Sequence, residues 1–355
     1  MIPIFDPMTK EAKIKAFDPN GPALQDANVF GLPFTCDEAD IVLVPVPWEV
    51  TTSYGGGTAQ GPAAILEASR QVDLHHPEFP DLWKAGVAME EIPEDLVDRS
   101  DELKDEAAFV IDFLETGGDE GREPEVQRIR KHIDQASEEL NDHVEERVGA
   151  RLDQGKRVGL VGGDHSTPLG FFRAQAKRHD QFGILHLDAH LDLRKAYEGF
   201  THSHASILYN ALALPQVAKV VSVGIRDFCL EEQQVVDREQ GRVQVFHDAE
   251  LQAQRFAGDT WQAQCDRIIA ALPDKVHVTF DIDGLDPTLC PNTGTPVPGG
   301  LSFPQATFLL SRLAASGRKV IGFDLVEVSP GGDEWDGNVG ARLLWHLCGV
   351  LWKAG

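Results

Sequence analysis

Apolar positions along the chain follow two rhythms. Ile41 to Trp48 (IVLVPVPW) is a continuous apolar run of strand length, and RVGLVGG, GILHLDAH, KVVSVG, VHVTFDID and KVIGFDLV repeat its form. Several of these runs are apolar on both faces, as strands of a buried parallel sheet must be. Helical patterns stand between them. The longest begins at Glu123, where Val126, Ile129, Ile133, Ala136, Leu140, Val144, Val148 and Leu152 recur at three- and four-residue spacing and turn one stripe toward a core. GPAAILEASR, after the Gly55-Gly56-Gly57 turn, reads as another helix with Pro62 in its first turn. Strand alternating with helix predicts an α/β fold with a doubly wound, mostly parallel sheet in a single domain. Residues 1–38 are irregular and are expected to form an N-terminal arm lying on the domain, 39–355, or on a neighbouring subunit. Residues of about 90–155 form an acidic helical insert, whose first part holds one short apolar helix, AAFVIDFL.

Charge narrows the partners. The 355 residues hold 57 Asp and Glu against 32 Lys and Arg, a formal −25. Such a surface repels phosphate backbones and anionic membranes, so neither nucleic acid nor membrane is expected as a partner, while a cationic substrate is drawn in. Solubility or adaptation to high salt is the simpler explanation of the acidity and ranks ahead of substrate attraction. The longest apolar run is too short to span a bilayer, and MIPIFDPMTKEAKIK has no apolar core of a secretory signal, so a cytoplasmic location is expected. Five cysteines without a CxxC pair read as incidental thiols.

The chemistry collects at strand ends. RVGLV is followed by Gly162-Gly163-Asp164-His165-Ser166, GILHL by Asp188-Ala189-His190-Leu191-Asp192, VHVTF by Asp281-Ile282-Asp283-Gly284-Leu285-Asp286-Pro287, and the last strand runs into Glu327. In an open α/β sheet, ligand sites form outside the carboxyl ends of the strands, so four segments deliver Asp, His and Glu to one edge. Asp188, His190 and Asp192 alternate along extended chain and share a side, as do Asp281 and Asp283. Carboxylates this crowded repel one another unless cations neutralise them. Imidazoles among them suit Mn, Fe, Co, Ni or Zn better than Ca or Mg. Four Asp and two His exceed one ordinary site and suit two divalent ions about 3.5–4 Å apart.

GGDHS, DAHLD, DIDGLDP and VEVSP together resemble the ureohydrolases, the family of arginase, agmatinase and formiminoglutamase, over about residues 40–350. The resemblance implies an arginase-like three-layer α/β/α fold with an eight-stranded sheet, a binuclear centre and a trimer or homohexamer. It implies one ion on His165, Asp188, Asp192 and Asp281, and the other on His190, Asp188, Asp281 and Asp283, with Asp188 and Asp281 bridging. A hydroxide between the ions would attack the guanidinium carbon, releasing urea plus amine or ammonia. Glu327 matches the family's guanidinium-binding Glu. His204, in THSHASIL, matches its proton-shuttling histidine, with His202 as the other candidate.

The substrate is read from the loops. Leu193 to Thr201 lacks the Asn/Ser/Thr-rich clamp by which arginases hold an amino acid, and Arg194 resembles the DLR of formiminoglutamases without the SSGTP that follows it. His204-Ala205-Ser206 stands where agmatinases carry HGT. VPWEVTTSYGGGT and DLRKAYEGFTHSHASILYNA are most similar to the branch that hydrolyses free guanidine, which is associated with Ni²⁺ in place of Mn²⁺ and, through nickel, with a maturation protein as a partner. Trp48, Tyr54, Tyr197 and Phe200 are expected to fill the space of a substrate tail, and Thr51, Thr52 or Ser53 to offer a hydroxyl to a small planar cation. Free guanidine is therefore expected ahead of agmatine, then of a formiminoglutamase or other amidine substrate, then of arginine. A silent metal-binding paralogue is the alternative outside enzymes.

Overall fold

The structure is a computed structural model that describes residues 8–24, 26–118 and 121–355. Eight strands make one sheet: β1 (Ile41–Val46), β2 (Val87–Met89), β3 (Arg157–Gly162), β4 (Phe182–Leu187), β5 (Val217–Ile225), β6 (Val243–His247), β7 (Lys275–Asp281) and β8 (Lys319–Val326). Their order is β2-β1-β3-β8-β7-β4-β5-β6, and every pairing is parallel. The first three strands run out to one edge and β4 to β6 to the other, so β7 and β8 fill the middle. The crevice between the two halves opens at the carboxyl ends of β3, β8, β7 and β4. The arginase-like α/β architecture expected from the sequence is the one observed.

Twelve helices among the described residues cover the two faces. In chain order they are α1 (Lys10–Ala16), α2 (Gly61–Ser69), α3 (Leu82–Ala85), α4 (Glu94–Glu115), α5 (Glu123–Asp153), α6 (Leu169–Ala176), α7 (Ile207–Leu212), α8 (Leu230–Arg238), α9 (Asp248–Phe256), α10 (Trp261–Ala270), α11 (Phe303–Ala315) and α12 (Trp335–Ala354). Alternation within strands divides the core between the faces. Ile41 and Leu43 join Val276, Val278, Phe280 and Phe323 under α11 and α12, while Val44, Val46, Val158 and Leu160 meet the stripe of α5. None of the helices is long and apolar enough to cross a membrane.

The α5 stripe is buried from Val126 through Val148, and Leu152 packs at its margin. α4 differs from the short helix expected at AAFVIDFL: it starts at Glu94 and spans 22 residues. Its buried stripe is Leu96, Ser100, Leu103, Ala107, Val110 and Ile111, diluted by acidic residues on the outer face and by a serine within the stripe. The N-terminal segment also holds more order than its composition implied. α1 is capped by Thr9 Oγ1, which accepts the Ala12 N–H at 3.3 Å, and Phe30 stacks edge-on against Trp345 of α12. Residues 1–7 of the expected arm lie outside the described residues. All five thiols are free.

Candidate metal centre and substrate pocket

At the end of β3 the backbone turns tightly. Gly163 donates to Val46 O at 2.8 Å and Asp164 to Trp48 O at 2.9 Å, and a Cβ on Gly163 would stand 2.1 Å from that Trp48 oxygen. The turn buries His165, whose imidazole has only 1% of its surface exposed. Its Nε2 lies 2.9 Å from Thr279 Oγ1, and Thr279 in turn donates its one hydroxyl proton to Asp324 Oδ1 at 2.6 Å. Asp324 Oδ2 faces His277 Nε2 at 2.9 Å. The hydroxyl therefore accepts from His165 Nε2–H, which in the neutral imidazole leaves the lone pair on Nδ1.

That Nδ1 lies 3.1 Å from Asp188 Oδ2, 3.1 Å from Asp192 Oδ2 and 3.2 Å from Asp281 Oδ2, yet makes no hydrogen bond to any of them. Four lone-pair donors facing one point in a buried site repel unless a cation lies between them. Donors on an octahedral ion with bonds of about 2.1 Å stand about 3 Å apart, so the spacing fits a transition metal. A second group adjoins the first: His190 Nδ1 is 3.1 Å from Asp283 Oδ2 and 3.4 Å from Asp188 Oδ1. Asp188 belongs to both groups. Backbone amides orient the carboxylates: Asp188 Oδ1 accepts the His190 N–H, Asp281 Oδ1 the Asp283 N–H, and Asp283 Oδ1 the Ala189 N–H, at 2.6, 2.8 and 3.0 Å.

The charge balance agrees with this fit. Burial and repulsion from Asp283 and Asp188 push the Asp281 carboxyl well up, burial and Asp188 push Asp192 up to about 6, and burial with Asp281 and Asp164 raises Glu327. Such a cluster must take up positive charge, as protons or as dications. His186 was not singled out from the sequence. Its Nε2 lies 2.7 Å from Asp188 Oδ2 and its Nδ1 3.0 Å from Ser222 Oγ, so it braces a metal-facing carboxylate from within β4. The strand period was the available signal, since 186, 188, 190 and 192 share parity.

Glu327 follows β8 with φ +64°, and Asp192 has φ +52°, so two site residues hold left-handed backbone that costs energy. Glu327 is fixed by its N–H to Gly163 O at 2.8 Å, by Thr293 Oγ1 donating to its carbonyl at 2.8 Å, and by the His165 N–H donating to Oε1 at 2.8 Å. A cavity of about 170 Å³ opens in front of the donors, walled by Tyr54, Arg194, Tyr197, Asp227, Phe228 and Thr295 as well as by Glu327 and His204. The Tyr197 ring meets His204 edge-on at 5.9 Å, and Arg194 lies 4.8 Å over the Tyr197 ring. Burial and the neighbouring His190 pull the His204 imidazole down to about 4, so it is neutral at pH 7.

Other expected site residues fall elsewhere. His202 Nε2 lies 3.3 Å from Glu138 on α5 and does not wall the cavity. Trp48 is buried against β1 and the α4–α5 layer, and the Thr52 hydroxyl is donated to Glu49 Oε1 at 3.1 Å, so the structure brings neither to the pocket. Phe200 is likewise core. Ser53 and Tyr54, their neighbours, do reach the wall. Whether a loop residue faces a cavity depends on the loop's path, which single-residue chemistry leaves open.

Buried carboxylates and imidazoles gathered at this sheet edge, opening on a small pocket, fit the class of metal-dependent hydrolases built on open α/β sheets. Comparison with known proteins narrows it. Residues 39–349 match the Arginase family. The chain is 31% identical over 314 residues to N(1)-aminopropylagmatine ureohydrolase of Thermus thermophilus, covering 88% of this chain and 91% of that protein. It is 32% identical over 318 residues to agmatinase of Proteus mirabilis, covering 86% and 84%. In fold it is similar to proclavaminate amidino hydrolase from Streptomyces clavuligerus, with a TM-score of 0.71, 23% identity and coverage of 95% and 100%. Agmatine ureohydrolase of Thermoplasma volcanium gives 0.69 at 24% identity, covering 93% and 96%. The chain belongs to the arginase family, and is a ureohydrolase that cleaves C–N bonds of guanidino compounds. The family depends on binuclear metal centres, and the His/Asp cluster is able to bind metal.

Proposed function

We propose that this ureohydrolase acts on free guanidine, converting guanidinium and water to urea and ammonium, with two divalent ions, Mn²⁺ or Ni²⁺, in a homo-oligomeric cytoplasmic enzyme whose catalytic unit is residues 39–355. The supporting observation is the pocket. A cavity of about 170 Å³ lies between the donor cluster and a rim of Tyr54, Tyr197 and Phe228, with room for a small planar cation against the donors. Arg194 on the same wall opposes a cationic tail, and Glu232 is already taken, its Oε1 and Oε2 accepting the Leu193 and Cys229 N–H groups at 3.1 and 2.9 Å.

His165, Asp188, Asp192 and Asp281 would hold one ion, and His190, Asp188, Asp281 and Asp283 the other. When bound, the pair supplies the Lewis acidity that makes water nucleophilic near neutral pH. Glu327, fixed through Oε1 by His165 N–H, offers Oε2 to the guanidinium and sets its plane. The approaching cation favours the ionised form of a carboxyl that burial otherwise raises. His204, neutral in the wall, takes on Nε2 the proton that the attacking water gives up and returns it to the departing nitrogen, while Nδ1 faces Ser203 Oγ at 3.4 Å. Tyr54 and Tyr197 stand at the mouth.

Agmatine is the second reading, supported by the similarity to agmatinases and by Asp227, an exposed rim carboxylate able to pair with a tail ammonium. A urea-release assay decides between them, run on guanidine, agmatine, arginine, guanidinobutyrate and formiminoglutamate with Mn²⁺ or Ni²⁺. Turnover of guanidine above agmatine is expected. Urea from agmatine and none from guanidine transfers the assignment, and Asp227→Asn should then raise KM for agmatine.

A further inference from the structure

Behind the pocket loop, one buried carboxylate gathers four donors. Glu49, directly after β1, is 2% exposed. Its Oε2 accepts the N–H groups of Gly57 at 2.7 Å and Ala59 at 3.1 Å. Its Oε1 accepts the Thr52 hydroxyl at 3.1 Å and the ammonium of Lys104. Lys104 stands on α4 one turn beyond Ser100, whose Oγ accepts the Glu49 N–H at 2.9 Å. One face of α4 therefore grips residue 49 by backbone and by side chain.

The segment these contacts shape, residues 50–58, turns through Gly55 and Gly57 at φ +68° and +107°, conformations that suit glycine. A Cβ on Gly57 would stand 2.7 Å from Ser329 Oγ, and that hydroxyl donates to Gly56 O at 2.8 Å. The loop is thus pinned between α4 and the residues following Glu327, with Ser53 and Tyr54 turned to the cavity. Lys104 lies behind the loop and outside the pocket wall. Without its ammonium, Glu49 keeps three hydrogen-bond donors but loses its only opposite charge, so the buried carboxylate is pushed toward protonation or toward water. Either change weakens the amide hydrogen bonds that give the loop its path.

We propose that Lys104 is a positioning residue: through Glu49 it holds loop 50–58 so that Ser53 and Tyr54 form the pocket wall, and thereby sets how tightly the guanidino substrate is held. The acidic helical insert then serves the site as the carrier of this clamp. The substrate half of the proposal rests on the ureohydrolase reading, and the loop half on geometry alone.

Two variants of the metal-loaded full chain test it, Lys104→Met and Lys104→Arg. Lys104→Met is expected to raise KM about tenfold with kcat within about twofold and metal content unchanged, and Lys104→Arg to return KM to within about threefold of wild type. Hydrogen exchange of the peptide spanning 49–60 should quicken about tenfold in Lys104→Met and stay near wild type in Lys104→Arg. An unchanged KM or an unchanged exchange rate in Lys104→Met overturns the proposal. So does a defect that arginine fails to rescue and that comes with lost metal or a lowered Tm. Where the wild-type chain releases no urea from any guanidino compound, the functional reading fails instead, and the exchange result alone decides whether Lys104 holds the loop.

Discussion

Single protons and single carboxylates govern the metal centre. His165 spends its Nε2–H on Thr279, so Nδ1 is left as a donor, and three aspartates converge on it. Asp188 faces both donor groups, and Asp188→Ala is expected to strip both ions and abolish turnover; Asp281→Ala should do the same if it bridges. Metal analysis of the purified variants checks this, and full occupancy in either refutes the shared-ligand assignment. Glu327→Gln differs in kind. It keeps the side chain's shape and the bond from His165 N–H while removing the charge that pairs with the guanidinium, so metal content should hold while turnover falls by about 10²-fold or more. A wild-type rate in that variant would remove Glu327 from the binding role. Most of these residues were legible in the sequence because each sits at a fixed offset from an apolar strand. His186 was passed over because it lies inside the apolar run, where a histidine reads as core.

At the scale of elements, a helix pair offers a probe of stability independent of the site. His346 on α12 is buried against α11, with Nε2 3.0 Å from Thr307 O and 3.2 Å from Ser311 Oγ. Burial, helped by His76 and opposed by Glu78, pulls its imidazole down to about 4. The unfolded chain binds a proton near the ordinary 6.5 while the folded chain resists until about 4, so stability is lost as pH falls through that window and levels off below it. At pH 5 the loss is about 2 kcal/mol. Chemical denaturation of wild type and His346→Gln at pH 7.5 and pH 5 should show a smaller acid loss in the variant by about that amount, and equal losses would assign the acid limb elsewhere. α4 and α5 carry a different lesson. Eight apolar positions in register made α5 readable, whereas the start of α4 was hidden because Ser100 occupies its stripe and serves Glu49 instead of the core.

For the whole molecule, the donor cluster depends on the order of the sheet. Its donors come from the carboxyl ends of β3, β4 and β7, three strands distant in sequence and close in the middle of the sheet. Removing the ions with a chelator leaves their carboxylates crowded and uncompensated, and also removes the stabilisation that native-state binding supplies. A Tm lowered by several degrees and restored by added Mn²⁺ or Ni²⁺ is expected in a thermal melt. An unchanged Tm on verified loss of metal would mean that the cluster is held entirely by the fold.

The sequence alone determined the alternation of strand and helix, the strand ends at which Asp and His stand, and the family those motifs resemble, because local periodicity and residue chemistry are written along the chain. Tertiary structure decided the rest. It ran loop 50–58 so that Ser53 and Tyr54, and not Trp48 or Thr52, reach the pocket, turned His204 inward and His202 toward α5, and brought Lys104 beneath Glu49. Those outcomes depend on contacts between segments far apart in the chain, where burial and charge pairing choose among paths that local sequence leaves equal.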